Sequence, residues 1–171
     1  MQKEQNQTGY PSVDRPHTKL YRKIPIREIN ENQTIYEVLF HSNRLNMTAP
    51  ALEYMGVTWT FEKLKAETDK AACAFMKSGL KQGDTVLVGV SNCPEALVIL
   101  LALNKLGAVS KWFDVRAGEK DIEDYANDSK CRYLIAFDLV LPRISLILDN
   151  TCLDTIIQRI TDMLQVSSVR C

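Results

Sequence analysis

Residues 84–114 constrain the fold more than any other part of the chain. They read Asp84-Thr-Val-Leu-Val-Gly-Val-Ser-Asn-Cys-Pro-Glu95, a nearly all-apolar run to Leu103, then Asn104-Lys-Leu-Gly-Ala-Val-Ser-Lys-Trp-Phe-Asp114. The valine-rich run 85–90 is apolar on both faces, as a central parallel strand must be. Ser91 and Asn92 offer helix caps, and Pro94 falls in the first helical turn, where its missing N–H does little harm. The helix that follows is apolar almost all round, which predicts burial on most sides. Gly107 ends it, and residues 108–113 form a second strand.

The flanks extend this pattern. Thr34 is expected to cap a helix reaching about Asn46, with Ile35, Val38, Leu39 and Leu45 as its apolar face. Residues 50–55, a turn at Gly56 and 57–59 suggest a short hairpin. Thr60 caps a helix whose buried stripe runs Phe61, Leu64, Thr68, Ala71/Ala72, Phe75 and Met76, and Gly79 closes it at the position after the cap. A short helix spans 118–128 and a third strand 131–137. Asp138 then caps a helix that carries Pro142 and ends near Leu148. Strands alternating with helices through short turns predict an α/β fold, a doubly wound parallel sheet flanked by helices with right-handed crossovers. At the end, Ile156, Ile157, Ile160, Met163 and Leu164 recur at helical spacing, so a helix is expected there.

Composition narrows the function. The chain has 171 residues, 46% hydrophobic, with 21 Lys+Arg against 21 Asp+Glu. Zero net charge gives no electrostatic reason to expect nucleic acid or an anionic membrane as partner. The apolar run 96–103 is much shorter than the ~20 residues that span a bilayer, so no transmembrane segment is expected. The polar N-terminus lacks an apolar signal core, which points to the cytoplasm. The 5 cysteines are widely spaced, with no Cys-x-x-Cys pair and only 2 histidines. Small buried thiols in a reducing compartment, rather than a zinc site, are the expectation.

Several motifs compete for the strand-to-helix turn. Gly89-Val-Ser91-Asn-Cys93 resembles a nucleophile elbow, but Cys93 replaces its last glycine and no histidine follows Ser91 to act as base. A helix-capping role explains Ser91 or Asn92 as well. The fixed glycines of dinucleotide and Walker-type phosphate loops are absent, and Glu95 would occupy part of the helix-end field that an anion needs. Trp59, Trp112 and Phe113 suit core or sheet-edge packing more than ligand stacking. The acids Glu119, Asp121, Glu123, Asp124 and Asp128 spread round a helix as a solvated face. The basic stretch 19–27 reads as a solvated surface segment, with an anion contact as the alternative.

Four stretches together resemble the AMP-forming adenylating superfamily of acyl-CoA synthetases, luciferases and peptide-synthetase adenylation domains. They are Val57-Thr-Trp-Thr-Phe-Glu-Lys-Leu64, Gly79-Leu-Lys-Gln-Gly-Asp-Thr-Val86, Ser91-Asn-Cys-Pro-Glu95 and Leu103-Asn-Lys-Leu-Gly-Ala-Val109. Their order and spacing over about 34–157 carry the resemblance, which covers the front of that family's large domain. It implies three regions: a polar tail over 1–18, a partial AMP-binding domain over 19–157, and an atypical tail over 158–171. That last tail is expected to come from a frameshift or truncated reading frame. The resemblance also implies ligation of a carboxylic acid, fatty acids included, to CoA through an acyl-adenylate, with ATP, Mg²⁺ and CoA as cofactors.

The family's glycine-rich loop Thr-Ser-Gly-Thr-Thr-Gly-x-Pro-Lys-Gly does not occur in these residues. No catalytic or metal-binding residue is therefore assigned, and the chain is expected to be inactive alone. In some members the turn after the second strand reads Asn-Pro-Arg, its arginine near the CoA phosphates. Here the turn reads Asp114-Val-Arg116, so the resemblance implies a CoA-phosphate contact for Arg116, with an ordinary exposed loop arginine as the alternative. The preceding Ser110-Lys-Trp-Phe113 departs from the family's small and apolar residues. Two alternatives remain: a non-enzymatic partner chain that completes a split ligase, or an unrelated small doubly wound binding domain. As an incomplete domain, whose last strands would pack against segments not present, the chain is expected to show exposed apolar patches and an open sheet edge.

Overall fold

A computed structural model describes residues 8–16, 30, 32–160 and 163–168. The chain divides into two units, residues 1–32 and 33–171. In the first, α1 (Pro11–Asp14) is a single turn. The Asp14 carboxylate reaches back to accept hydrogen bonds from Thr8 N and Oγ1 and from Gly9 N, at 2.8–2.9 Å. The basic stretch 19–27 lies outside the described residues.

The second unit opens with α2 (Ile35–Ser42), where Thr34 and Glu37 form a reciprocal capping box. The helix stops four residues short of the expected Asn46, and its buried face also differs. Tyr36 and Phe40 are buried, whereas Ile35, Val38 and Leu45 are 60%, 47% and 86% exposed. Two aromatic residues at i and i+4 bury more area than the aliphatic set, and polar contacts fix the choice. Tyr36 N donates to Asn104 Oδ1 at 3.0 Å and Tyr36 Oη to Asp69 Oδ1 at 2.6 Å. The hairpin β1 (Pro50–Tyr54) and β2 (Val57–Thr60) pairs antiparallel around Gly56, as expected.

Next comes α3 (Phe61–Lys77), capped by the Thr60 hydroxyl, which accepts from Lys63 N at 3.2 Å. β3 (Thr85–Gly89), α4 (Pro94–Leu106) and β4 (Val109–Trp112) follow, and Gly107 ends α4 at φ +69°, a conformation that favours glycine. The N-cap of α4 is Cys93, with no side-chain cap bond, so the expected capping by Ser91 or Asn92 does not occur. Both lie exposed one and two residues before the cap. Then come α5 (Glu119–Asp128), β5 (Tyr133–Phe137) and α6 (Leu141–Ile147), the last flanked by 3-10 turns at Asp138–Val140 and Leu148–Asn150.

The chain then forms β6 (Thr155–Ile160) and β7 (Met163–Ser168) in place of the expected terminal helix. β6 pairs parallel with β5, and β7 folds back antiparallel on β6. The physical reason is the open edge of β5. Its backbone groups need partners, and tertiary pairing overrides a marginal local period. Ile156 and Ile157, adjacent in sequence, are buried on opposite faces of the sheet, which a strand allows.

The main sheet has the order β4-β3-β5-β6-β7. From β3 the chain steps outward to β4, then back across β3 to β5. Right-handed crossovers in opposite directions must lie on opposite faces. Accordingly α3 and α4 cover one face with α2, while α5 and α6 cover the other. Strand alternation feeds two cores. Val86, Val88, Tyr133 and Ile135 join Leu64, Phe75 and Leu101 in the first. Leu87, Leu134 and Ala136 join Ile122, Ile144 and Leu153 in the second.

Thr68 lies in the first core at 0% exposure, and among the described residues its Oγ1 has no hydrogen-bond partner. An orphaned buried hydroxyl costs about 1–3 kcal/mol. Thr68→Val should therefore raise the urea midpoint, by about 1 kcal/mol of stability, at an unchanged denaturant slope.

The expectation of uniformly buried thiols is corrected. Cys131 is buried, Cys93 and Cys152 are half-buried, and Cys73 is exposed. Cys73 lies on α3 outside the buried stripe of Leu64, Thr68, Ala71, Ala72 and Phe75. Val109 and Trp112 stand 55% and 39% exposed on β4, at one edge of the sheet.

Candidate functional site

In open parallel sheets, ligands gather outside the carboxyl ends of the strands, where connections diverge to opposite faces. Here β3 leaves toward α4 on one face, and its neighbours β4 and β5 leave toward α5 and α6 on the other. Three turns form the resulting rim: residues 90–93, 113–118 and 137–141.

The first turn is shaped by a close approach. Phe113 follows β4 and is buried, and its ring lies against Gly89. A Cβ on Gly89 would fall 2.2 Å from Phe113 Cζ. Glycine inside a valine strand marks such contacts in sequence, but nothing in the sequence names Phe113 as the neighbour. Cys93 sits at the mouth of α4. Burial pushes its thiol up, and the adjacent Glu95 carboxylate adds to that, so Cys93 stays protonated at neutral pH. That state argues against a nucleophile at this turn.

The second turn carries Arg116. Its Nη2 donates to Asp114 Oδ2 at 2.6 Å and its Nε to Asp114 Oδ1 at 3.0 Å, while its backbone N donates to Asp114 Oδ1 at 2.8 Å. The Arg116 side chain is 86% exposed. Its hydrogen bonds hold the Asp114 carboxyl at about 2, so the pair stays ionised across the neutral range. An anion reaching Arg116 must compete with Asp114. Beneath the turn, Arg143 of α6 donates Nη1 to the Ala117 carbonyl at 2.5 Å and Nη2 to the Val115 carbonyl. The sequence carries no signal for this brace, because its partners lie 26 and 28 residues away. Arg143→Ala should speed hydrogen exchange at the Ala117 amide at least tenfold and leave the β3 amides protected. Equal protection in both proteins would contradict the brace.

Among the described residues, no three His, Cys, Asp or Glu side chains gather to hold a metal ion. Within the same residues, no helix is long and apolar enough to cross a membrane. The rim joins one exposed guanidinium and the carboxylate paired with it. That set suits contact with a phosphate group rather than bond cleavage.

Fold and rim together define an open parallel α/β scaffold of the kind that binds ligands at its strand ends. Residues 39–169 match the family of AMP-binding enzymes, and the chain belongs to that family. The match runs through β6 and β7. The chain is 32% identical over 79 residues to acetyl-coenzyme A synthetase 2 of Debaryomyces hansenii, covering 46% of this chain and 12% of that protein. It is 25% identical over 134 residues to a long-chain-fatty-acid–CoA ligase of Bacillus subtilis, covering 78% of this chain and 22% of the ligase. The solved structure of the anthranilate CoA ligase AuaEII with anthranoyl-AMP superposes with a TM-score of 0.71 at 20% identity, over 77% of this chain and 26% of that one. At that identity the likeness is one of fold. The chain thus spans 12–26% of the length of these proteins.

Proposed function

We propose that the chain forms the front of the large domain of an ATP-dependent, AMP-forming acid–CoA ligase acting in the cytoplasm. The observation that carries this is the family match over residues 39–169, with relatives named as CoA ligases and synthetases in support. Such an enzyme joins a carboxylate to AMP, releases pyrophosphate and passes the acyl group to the thiol of CoA. Within it the two-cored sheet acts as scaffold. Arg116 supplies charge-assisted donors to a CoA phosphate, and Asp114 holds the guanidinium in its bidentate pose until the phosphate replaces it. The residues present do not fit ATP and Mg²⁺. Neither a glycine-rich phosphate loop nor, among the described residues, a carboxylate cluster is there to receive them. No adenylation step is therefore assigned to this chain, and alone it turns over no acid.

The test is domain replacement. The chain, substituted for the matching region of the Bacillus subtilis ligase, should support acid-dependent CoA ligation. In that enzyme Arg116→Ala should raise KM for CoA roughly 3- to 10-fold, with a smaller change in KM for ATP. Asp114→Asn should lower KM for CoA. Unchanged KM for CoA in both variants would remove Arg116 from the CoA site. One observation favours a second role. Among the described residues β4 pairs with a strand on one side only, and its outer edge could take another polypeptide. Co-purification with a chain bearing the glycine-rich phosphate loop would support a split ligase.

A further inference from the structure

At the amino ends of β5 and β6, opposite the rim, two cysteines lie close together, one ahead of each strand. β5 and β6 pair from Tyr133 and Thr155 onward, and the Arg132 carbonyl accepts from both Asp154 N at 2.9 Å and Thr155 N at 3.1 Å. Cys131 and Cys152 lie just before these two strand starts. The Cys152 thiol points inward, its Sγ 3.0 Å from the Cys131 carbonyl oxygen and 3.4 Å from that of Ala126. Asn127 fixes the loop that carries it: Oδ1 accepts from Cys152 N at 3.2 Å and Nδ2 donates to the Asn150 carbonyl at 2.9 Å. Continued backwards, the β5–β6 register sets Cys131 opposite Leu153, the neighbour of Cys152. A strand spacing of about 4.8 Å with a one-residue offset of about 3.3 Å puts the two Cα atoms roughly 6 Å apart, within the ~4.4–6.8 Å that a disulfide bridges.

We propose that Cys131 and Cys152 are a reversible oxidation site, closing to an intrachain disulfide when the half-buried Cys152 meets a hydroperoxide. Cys152 attacks the peroxide, giving a sulfenic acid and releasing an alcohol or water. Cys131 then attacks the Cys152 sulfur. The S–S bond forms, the hydroxyl leaves with the Cys131 proton as water, and two electrons in all pass to the peroxide. Lys111 Nζ donates to Ser129 Oγ at 2.5 Å, beside the pair. Burial pushes the Cys131 thiol up, with Cys152 adding to it, while Lys111 and Ser129 work in the opposite direction. On balance the Cys131 thiol lies above its ordinary value, so it sheds its proton only as it attacks the sulfenic acid, and the Lys111 ammonium offsets part of that cost.

The test treats the full chain with tert-butyl hydroperoxide, alkylates remaining thiols, and maps peptides by mass. A Cys131–Cys152 link lighter by two hydrogens and reopened by dithiothreitol is expected. Because the link constrains the unfolded chain, Tm should rise by about 5–10 °C. Cys152→Ser, shown to be folded by circular dichroism, should lose both the link and the rise. Oxidation of Cys152 to a sulfinic acid without a link would overturn the proposal. So would links only to Cys73, Cys93 or Cys171, or a Tm rise that survives in Cys152→Ser.

Discussion

Gly89→Ala is expected to destabilise the domain by about 3 kcal/mol, the upper end for overpacking a tight core. The added Cβ would lie 2.2 Å from Phe113 Cζ, 2.7 Å from Cε1 and 2.9 Å from Cε2. The ring has little room to retreat. Phe113 is only 7% exposed, and it is anchored by its backbone N, which donates to the Val88 carbonyl at 3.0 Å. The effect is steric, not one of backbone angle, so removing the ring should relieve it. Phe113→Ala alone should cost about 3–5 kcal/mol through the cavity it leaves. The double variant should be no less stable than Phe113→Ala, giving a coupling of about 2–3 kcal/mol in a double-mutant cycle. Additive losses in urea unfolding would show that the ring does not hold Gly89.

The second large effect concerns the ion network that docks α2 on α3 and α4. Asp69 accepts from Tyr36 Oη at 2.6 Å, Lys65 Nζ at 2.7 Å and Lys105 Nζ at 2.8 Å. Lys105 also lies 4.7 Å from the centre of the Tyr36 ring. Burial works to raise the Asp69 carboxyl, but the Lys105, Lys65 and Tyr36 hydrogen bonds outweigh it and hold the group at about 2. A depressed folded-state value means stability that is fully present above the unfolded value of 3.8 and lost as pH falls through about 2. Asp69 is about one-third exposed, which screens the pair. Asp69→Asn should therefore cost about 1–2 kcal/mol at pH 7. The difference from the parent should shrink below pH 4 and close near pH 2. A constant gap down to pH 2 would contradict the role of the charge.

The strand–helix–strand unit is legible in sequence because its signals agree at every level. The valine-rich run 85–90 demands a covered strand, Pro94 and Gly107 punctuate the helix, and the turns are too short for any other topology. Agreement fails where tertiary contacts decide. On α2, Ile35, Val38 and Leu45 make a plausible apolar face, yet Tyr36 faces inward because Asn104 and Asp69 meet it there, and Phe40 packs edge-on against its ring. At β6, helical spacing loses to the unpaired edge of β5. The cap of α4 falls at Cys93, past the two better capping residues, because Pro94 sets the first helical position. At the rim, Arg116 is visible only through its place in a motif. Its partner Asp114 sits two residues before it in the same turn, whereas the brace from Arg143 arrives from another helix and leaves no local trace.

Acid-dependent ATP–pyrophosphate exchange by the purified chain tests the central claim most directly. With a panel of short-chain, aromatic and fatty acids, no exchange above background is expected, because these residues supply the scaffold and not the phosphate-binding loop. Clear exchange that depends on one of the acids would contradict it.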